Sequence, residues 1–244
     1  MNRTAGKGVT IITATIRPEH IHDIFYNYAR QKWEAKELII ILNKDSLNME
    51  DYLELAENYR AVRVFRLPES KSLGECLNFG VRKAKHSIIA KFDDDDYYGP
   101  HYIAEAMRAF WSSNADVVGK YSVHYYFPAK RKILLTNKSQ RPHRFVRKIA
   151  GATIMFKKRV FPKAKFVRAS LGTDVLFLAA CRRHGYLIYT TTSYNFAAIR
   201  KPDSKSHTWQ ITERQMFAKR DSRVIAKSNY RAYVNRPVNR LQKP

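Results

Sequence analysis

SIIAKFDDDDYYGP, residues 87–100, starts as a short apolar run, Ile88, Ile89 and Ala90, delivers four consecutive aspartates, Asp93, Asp94, Asp95 and Asp96, and turns through Tyr97, Tyr98, Gly99 and Pro100 into a helical pattern. The pattern predicts a β-strand ending in an acidic tip. Four adjacent carboxylates at a strand end repel one another, so an opposite charge must lie close by, and a divalent cation is the natural one. An acidic, solvated turn is the alternative reading of such a run. The segments around it decide between the two.

Upstream, strands and helices alternate. Residues 9–13 are apolar and β-branched, and Pro18 stands near the start of a helical pattern that runs to about residue 31. Residues 37–42 (ELIIIL) form an unbroken apolar run, the mark of a strand buried on both faces. A polar turn at 43–46 leads to helical spacing over 48–58, with Met49, Tyr52, Leu53 and Ala56 on one face. A third strand at 62–67, a helix over 72–84 and the strand at 87–92 follow. This alternation implies a parallel sheet covered by helices, a Rossmann-like α/β fold, in which ligands bind beyond the carboxyl ends of the strands. The polar clusters at 13–17, 43–46 and 93–96 all fall on that edge. No glycine fingerprint of the dinucleotide or P-loop kind follows any strand, so a nucleotide here is held another way.

Downstream, the periodicity predicts a helix over 102–113, a strand-rich run over 115–127 and a basic hairpin or exposed loop over 130–148. A strand at 152–156, a helix at 173–184 closed by Gly185 and a last strand at 186–191 complete the pattern. Beyond residue 198 the chain is polar and basic, with a loop at 204–207 and a helical segment over about 211–226. One domain is expected over 1–198, its nucleotide-binding half at about 1–114 and its acceptor-side half at about 115–198, with a basic extension over 199–244.

The formal net charge of +24 is unevenly spread. Residues 1–129 hold 17 Lys and Arg against 17 Asp and Glu, residues 130–168 hold 14 basic residues and no acid, and residues 200–244 hold 12 basic and 3 acidic. The excess lies in the second half, which points to an anionic partner there: nucleic acid, an acidic membrane surface or a polyanionic substrate. Cys76 and Cys181 are far apart in helical patterns, so neither a CxxC metal motif nor a disulfide framework is visible. No apolar run approaches the roughly 20 residues of a membrane span. The apolar stretch near the N-terminus is too short for a signal peptide. The expected location is cytoplasmic, with peripheral association at the inner face of an acidic membrane as a further expectation.

Taken together, these segments resemble glycosyltransferase family 2, whose members are inverting nucleotide-sugar transferases on the GT-A fold. VTIITATIRP is similar to the family's first strand and loop, and LNKDS to its second strand end. SLGECLNFGVRKAKHSIIAKFDDDDYYGP is similar to the small-residue helix, with Asn78 and Gly80, and the aspartate motif after it. AGATIMFKKRVF and LGTDVLFLAACRRHG resemble the acceptor-side strand and the helix carrying the acidic base. The resemblance spans roughly residues 8–195.

It implies Mn²⁺ or Mg²⁺ held by the DxD pair Asp93 and Asp95, with Asp95 the direct ligand and Asp93 nearer the ribose. Such a cation neutralises the leaving diphosphate as its charge develops. It implies Asp174 as general base. The alternative for Asp174 is ordinary capping of the helix N-terminus, where the dipole would weaken it as a base. Thr13, Thr15 and Arg17 on the first loop, with Asn43, Lys71 and Arg200, are the nucleotide-binding candidates. Asn43 stands where the family commonly has aspartate, and its amide oxygen can still accept from a uracil imide N–H. His207, in SHTW, is a candidate metal or diphosphate ligand. Asp96 is read as a helper or helix cap and Asp94 as facing away. The implied partners are a UDP-linked sugar donor and a glycan or anionic polymer acceptor, the activity being hexosyl or N-acetylhexosaminyl transfer. A basic nucleic-acid-binding protein is the competing class, supported by the charge and by Tyr125, Tyr126 and Phe145. No recognised nucleic-acid module is present, and specific nucleic-acid binding is not expected.

Overall fold

A computed structural model describes residues 8–200, 211–225 and 229–238. The first four strands, β1 (Val9–Thr15), β2 (Lys36–Leu42), β3 (Val62–Arg66) and β4 (Ile88–Lys91), run parallel in the order β3-β2-β1-β4. Parallel neighbours need long crossovers, and α1 (Ile21–Ala29), α2 (Met49–Glu57) and α3 (Leu73–Lys83) provide helices for them.

Strand alternation sends successive side chains to opposite layers. Val9 and Ile11 join Leu38, Ile40, Leu42 and the α1 residues Ile24, Phe25 and Tyr28 in one core. Ile12, Ile39 and Ile41 face the other layer with Cys76, Leu77 and Val81 of α3. Both faces of β2 are thus covered, which is why ELIIIL shows no polar alternation. α3 starts with a capping box between Ser72 and Glu75. It lies so close to β1 that a Cβ at Gly80 would stand 2.6 Å from Ile12 Cγ2.

The chain continues through β5 (Tyr97–Tyr98), α4 (Tyr102–Ser113), β6 (Val117–Gly119), β7 (Val123–Phe127), β8 (Lys132–Thr136), β9 (Arg144–Phe145), β10 (Met155–Lys157), α5 (Thr173–Arg183), β11 (Ile188–Thr190), β12 (Phe196–Ile199), α6 (Glu213–Phe217), β13 (Ser222–Ile225) and α7 (Tyr230–Val234). β10 inserts antiparallel between β4 and β6, β11 runs parallel to β6, and β9 closes that edge, giving eight strands in the order β3-β2-β1-β4-β10-β6-β11-β9. A second sheet has the order β13-β8-β7-β12-β5. In it β12 runs antiparallel to β5, so the chain near residue 198 returns to the turn that follows the four aspartates.

The basic stretch at 130–148 includes the return strand of the β7–β8 hairpin, the first of the two forms expected for it. The helix expected over 211–226 is corrected. α6 covers only five residues, and β13 pairs with β8 from Ser222 opposite Thr136 to Ile225 opposite Ile133. The unpaired edge of β8 and the β-branched Val224 and Ile225 outweigh local helical spacing. The strand expected at 152–156 is displaced, with a 3₁₀ turn at Gly151–Thr153 before β10. Among the described residues no helix is long and apolar enough to cross a membrane.

Candidate active site

The end of β1 meets the acidic tip directly. Thr15 Oγ1 donates to Asp94 Oδ2 at 2.6 Å. Arg17 closes over the same carboxylate, with Nε 3.2 Å from Asp94 Oδ2 and Nη2 bonded to Asp94 Oδ1, while its Nη1 reaches Asp95 Oδ2 at 2.8 Å. The side chain of Asp94 is 5% exposed, against 17% for Asp95 and 34% for Asp93. Asp94 therefore does not face away, contrary to the expectation from the sequence, because Thr15 and Arg17 both donate to it. Burial opposes the charge on Arg17, but Asp94 and Asp95 outweigh it and hold the guanidinium pKa above its ordinary value.

Asp93 is met from another side. Its Oδ1 lies 2.6 Å from Lys91 Nζ, and its backbone N–H donates to Tyr98 Oη at 2.8 Å. Tyr98 donates onward to the Ala152 carbonyl at 2.6 Å and stacks on Phe92 with ring centroids 3.7 Å apart, which fixes the turn. Burial pushes the Asp93 carboxyl pKa up; Lys91 opposes this, and Asp174 adds to it. Asp96 accepts from the Ile199 N–H at 3.0 Å, tying the tip to β12 rather than capping α4. Burial, reinforced by Asp95 and Asp93, holds its pKa well above the carboxylate range.

Asp174, in the first turn of α5, reaches the same group of charges. Its Oδ2 lies 3.2 Å from Lys91 Nζ, so one buried ammonium joins a carboxylate of the β4 tip to one of α5. This approach needs a residue without a side chain at Gly151, where a Cβ would stand 2.3 Å from Asp174 Oδ2. The other oxygen, Oδ1, is buried with no hydrogen-bond partner among the described residues. Asp174 makes no side-chain cap, and the N-cap of α5 is Gly172.

The remaining sequence candidates take these places. Thr13 is 2% exposed within β1, opposite Ile40 of β2. Asn43 receives the Thr15 loop through its backbone N–H, 2.9 Å from the Thr15 carbonyl, and donates Nδ2 to the Pro68 carbonyl at 2.9 Å. Lys71 is half-exposed and pairs with Glu75 at 3.3 Å rather than with any of the four aspartates. Arg200 is buried, its backbone N–H on the Tyr126 carbonyl at 2.8 Å and its Nη2 on the Ile211 carbonyl at 2.7 Å. Burial lowers its pKa, while Asp96 and Asp95 are among the groups that oppose the change. His207 lies outside the described residues. Lys91 and Gly151 were not singled out from the sequence. A lysine closing an apolar strand two residues before an acidic run is the signal that could have found Lys91.

The site is suited in donor type to a divalent cation. Five carboxyl groups, Asp93, Asp94, Asp95, Asp96 and Asp174, gather here with three cations, Arg17, Lys91 and Arg200, and burial holds Asp96 toward its neutral form. Hard carboxylate oxygens are the donors that Mg²⁺ and Mn²⁺ prefer. Asp94 is enclosed by its partners, whereas the side chains of Asp93 and Asp95 stay partly exposed. No group of three or more His, Cys, Asp or Glu poised to hold a metal occurs among the described residues, so protein ligands would supply only part of a coordination shell.

A mostly parallel sheet with carboxylates gathered beyond its strand ends, extended by the antiparallel strand β10, defines the GT-A fold of glycosyltransferases. The chain belongs to glycosyl transferase family 2, whose sequence pattern matches residues 10–165, a span that includes the four aspartates and ends before Asp174. No curated protein matches the sequence. Among solved structures, Staphylococcus aureus TarS (residues 1–349) in complex with UDP-GlcNAc aligns with a TM-score of 0.64 at 14% identity, over 79% of this chain and 58% of that one. The same protein in complex with UDP aligns with a TM-score of 0.64 at 14% identity, over 80% and 61%. The mannosyltransferase PcManGT from Pyrobaculum calidifontis, in complex with GDP-Man and Mn²⁺, gives 0.59 at 15% identity, over 82% and 58%. The chain thus spans about three-fifths of the length of these structures.

Proposed function

We propose that this protein is an inverting glycosyltransferase that moves a sugar from a nucleotide diphosphate sugar, UDP-linked, to an acceptor hydroxyl. The observation that carries this reading is the convergence of Asp93 and Asp174 on Lys91 Nζ, at 2.6 and 3.2 Å. It sets a carboxylate of the acceptor-side helix α5 beside the donor-side strand end, the separation of roles that an in-line displacement needs.

Asp174 takes the acceptor hydroxyl proton as that oxygen attacks the anomeric carbon, and the nucleoside diphosphate leaves from the opposite face. Thr15, Arg17 and Asn43 border the donor cleft. Asp95, with Asp93, would hold Mn²⁺ or Mg²⁺, which when bound would offset the charge developing on the diphosphate. The acceptor is an anionic glycan or cell-wall polymer met by the basic residues of 130–168, and the protein works in the cytoplasm, at the inner face of an acidic membrane.

The test is thermal stabilisation by UDP with and without Mn²⁺. Stabilisation is expected to require the metal and to vanish in Asp95→Ala; an unchanged shift in that variant removes the metal assignment. Asp174→Ala should bind UDP as well as the wild type and lose transfer, and retained turnover would remove it as base.

A further inference from the structure

Lys91 is 3% exposed at the end of an otherwise apolar strand. Its ammonium has three N–H donors, and three acceptors surround it: Asp93 Oδ1 at 2.6 Å, Asp174 Oδ2 at 3.2 Å and the Gly151 carbonyl at 3.4 Å. Burial works against the charge, but Asp174 and Asp93 outweigh it and keep the lysine pKa raised. For Asp174 the arrangement is one-sided. Among the described residues Lys91 is the polar partner of Oδ2, and Oδ1 is buried without one. A buried carboxylate oxygen without a donor is costly, so the contact of Oδ2 with Lys91 is what holds the ionised group there.

We propose that Lys91 is the positioning residue of the transfer base: it pins Oδ2 of Asp174 beside the Asp93 carboxylate and so sets the orientation of the carboxylate that receives the acceptor proton. This deepens the transferase reading and rests on Asp174 being the base. In the step itself the acceptor O–H bond breaks and its proton passes to the Asp174 carboxylate. The oxygen forms the new bond to the anomeric carbon, and the bond to the diphosphate oxygen breaks with its electron pair on the leaving group. Lys91 keeps its proton throughout. A lysine serving only to neutralise Asp93 would not need α5 brought onto Gly151, where even a methyl group has no room.

The experiment uses the full chain as wild type, Lys91→Met, Asp174→Asn and the double variant. UDP affinity in Mn²⁺, the thermal midpoint, and UDP release from UDP-GlcNAc with water as acceptor are measured for each. Lys91→Met is expected to lose about 100-fold in kcat, the scale of a mis-set general base, with UDP affinity and the KM for UDP-GlcNAc retained. In the Asp174→Asn background the same substitution should cost no further activity, because the two residues act as one unit. Wild-type kcat in Lys91→Met, a loss of UDP affinity matching the loss of kcat, or additive losses in the double variant would each overturn the positioning role. Full turnover in Asp174→Asn overturns the base assignment and this proposal with it, whereas an inactive Asp174→Asn beside a fully active Lys91→Met overturns only the role of Lys91. If Lys91→Met does not fold, Lys91→Arg carries the test. It keeps the charge but replaces the compact ammonium with a planar fork, so kcat should fall with UDP affinity retained; wild-type kcat refutes the proposal.

Discussion

Gly151→Ala is the substitution that most directly separates the placement of Asp174 from everything else the site does. Gly151 opens the 3₁₀ turn before β10, and its φ does not lie in the left-handed region, so alanine suits the backbone and only side-chain space is at issue. The added methyl carbon would stand 2.3 Å from Asp174 Oδ2 and 2.8 Å from its Cβ and Cγ, where ordinary contact begins at 3.4 Å. The carboxylate must therefore retreat by about 1 Å, which lengthens a Lys91 contact that is already 3.2 Å. A misplacement of that size costs about 100-fold in rate when it falls on a catalytic group. Crowding of this kind lowers stability by about 1–3 kcal/mol.

The assay is UDP release from a UDP-sugar donor, paired with calorimetric titration of UDP in Mn²⁺ and a thermal melt. Turnover should fall by about two orders of magnitude while UDP affinity holds, since the three atoms nearest the new methyl group all belong to Asp174. Turnover at the wild-type level would refute the reasoning, because a carboxylate that tolerates such a shift is not the base. Loss of UDP affinity in step with turnover would show that Gly151 belongs to the donor cleft.

Two further predictions concern stability. His124 is fully buried in β7 with Nδ1 2.8 Å from the Ser193 carbonyl. Burial pushes its pKa down to about 4, with Lys120, Arg223 and Arg236 acting in the same direction and the Ser193 bond opposing. The unfolded chain therefore takes up the proton first, so stability is whole above about pH 6.5 and is lost as pH falls toward 4, by about 2 kcal/mol between pH 7 and pH 5. Urea denaturation at both values should show His124→Gln with a flatter pH dependence; equal slopes would refute this. Lys120, 2% exposed and 2.9 Å from Glu105, is the companion case. Lys120→Met strands a buried carboxylate and should cost about 3–5 kcal/mol in the same assay with UDP affinity intact, and a loss under about 1 kcal/mol would show that Thr192 and Asn195 suffice for Glu105.

The parallel half was legible in the sequence because its evidence is local. An unbroken ELIIIL can be buried on both faces only by helices, and the polar ends of β1, β2 and β4 then have to share one edge. The same logic failed at 211–226, where the pattern had helical spacing but the outcome was set by a strand 86 positions earlier, Thr136 opposite Ser222. Nothing local to SRVI announces that edge. β5 is two residues long and exists only because β12 returns to it, so no window around Tyr97 could reveal it.

The acidic run shows the limit most clearly. Read along the chain, four aspartates are equivalent, and alternation sorts them at best into two faces. In the structure they are sorted by their partners: Asp93 by Lys91, Asp94 by Thr15 and Arg17, Asp95 by Arg17, Asp96 by the backbone of Ile199. Those partners are spread from β1 to β12, so the identity of each carboxylate is a property of the assembled sheet. The division of labour follows from that assembly. The aspartate with two enclosing partners holds the first loop, whereas the side chains of Asp95 and Asp93 stay 17% and 34% exposed. The fifth carboxylate, Asp174, arrives from a helix more than 70 positions away and is tied to the run by one lysine that the sequence places inside the strand itself.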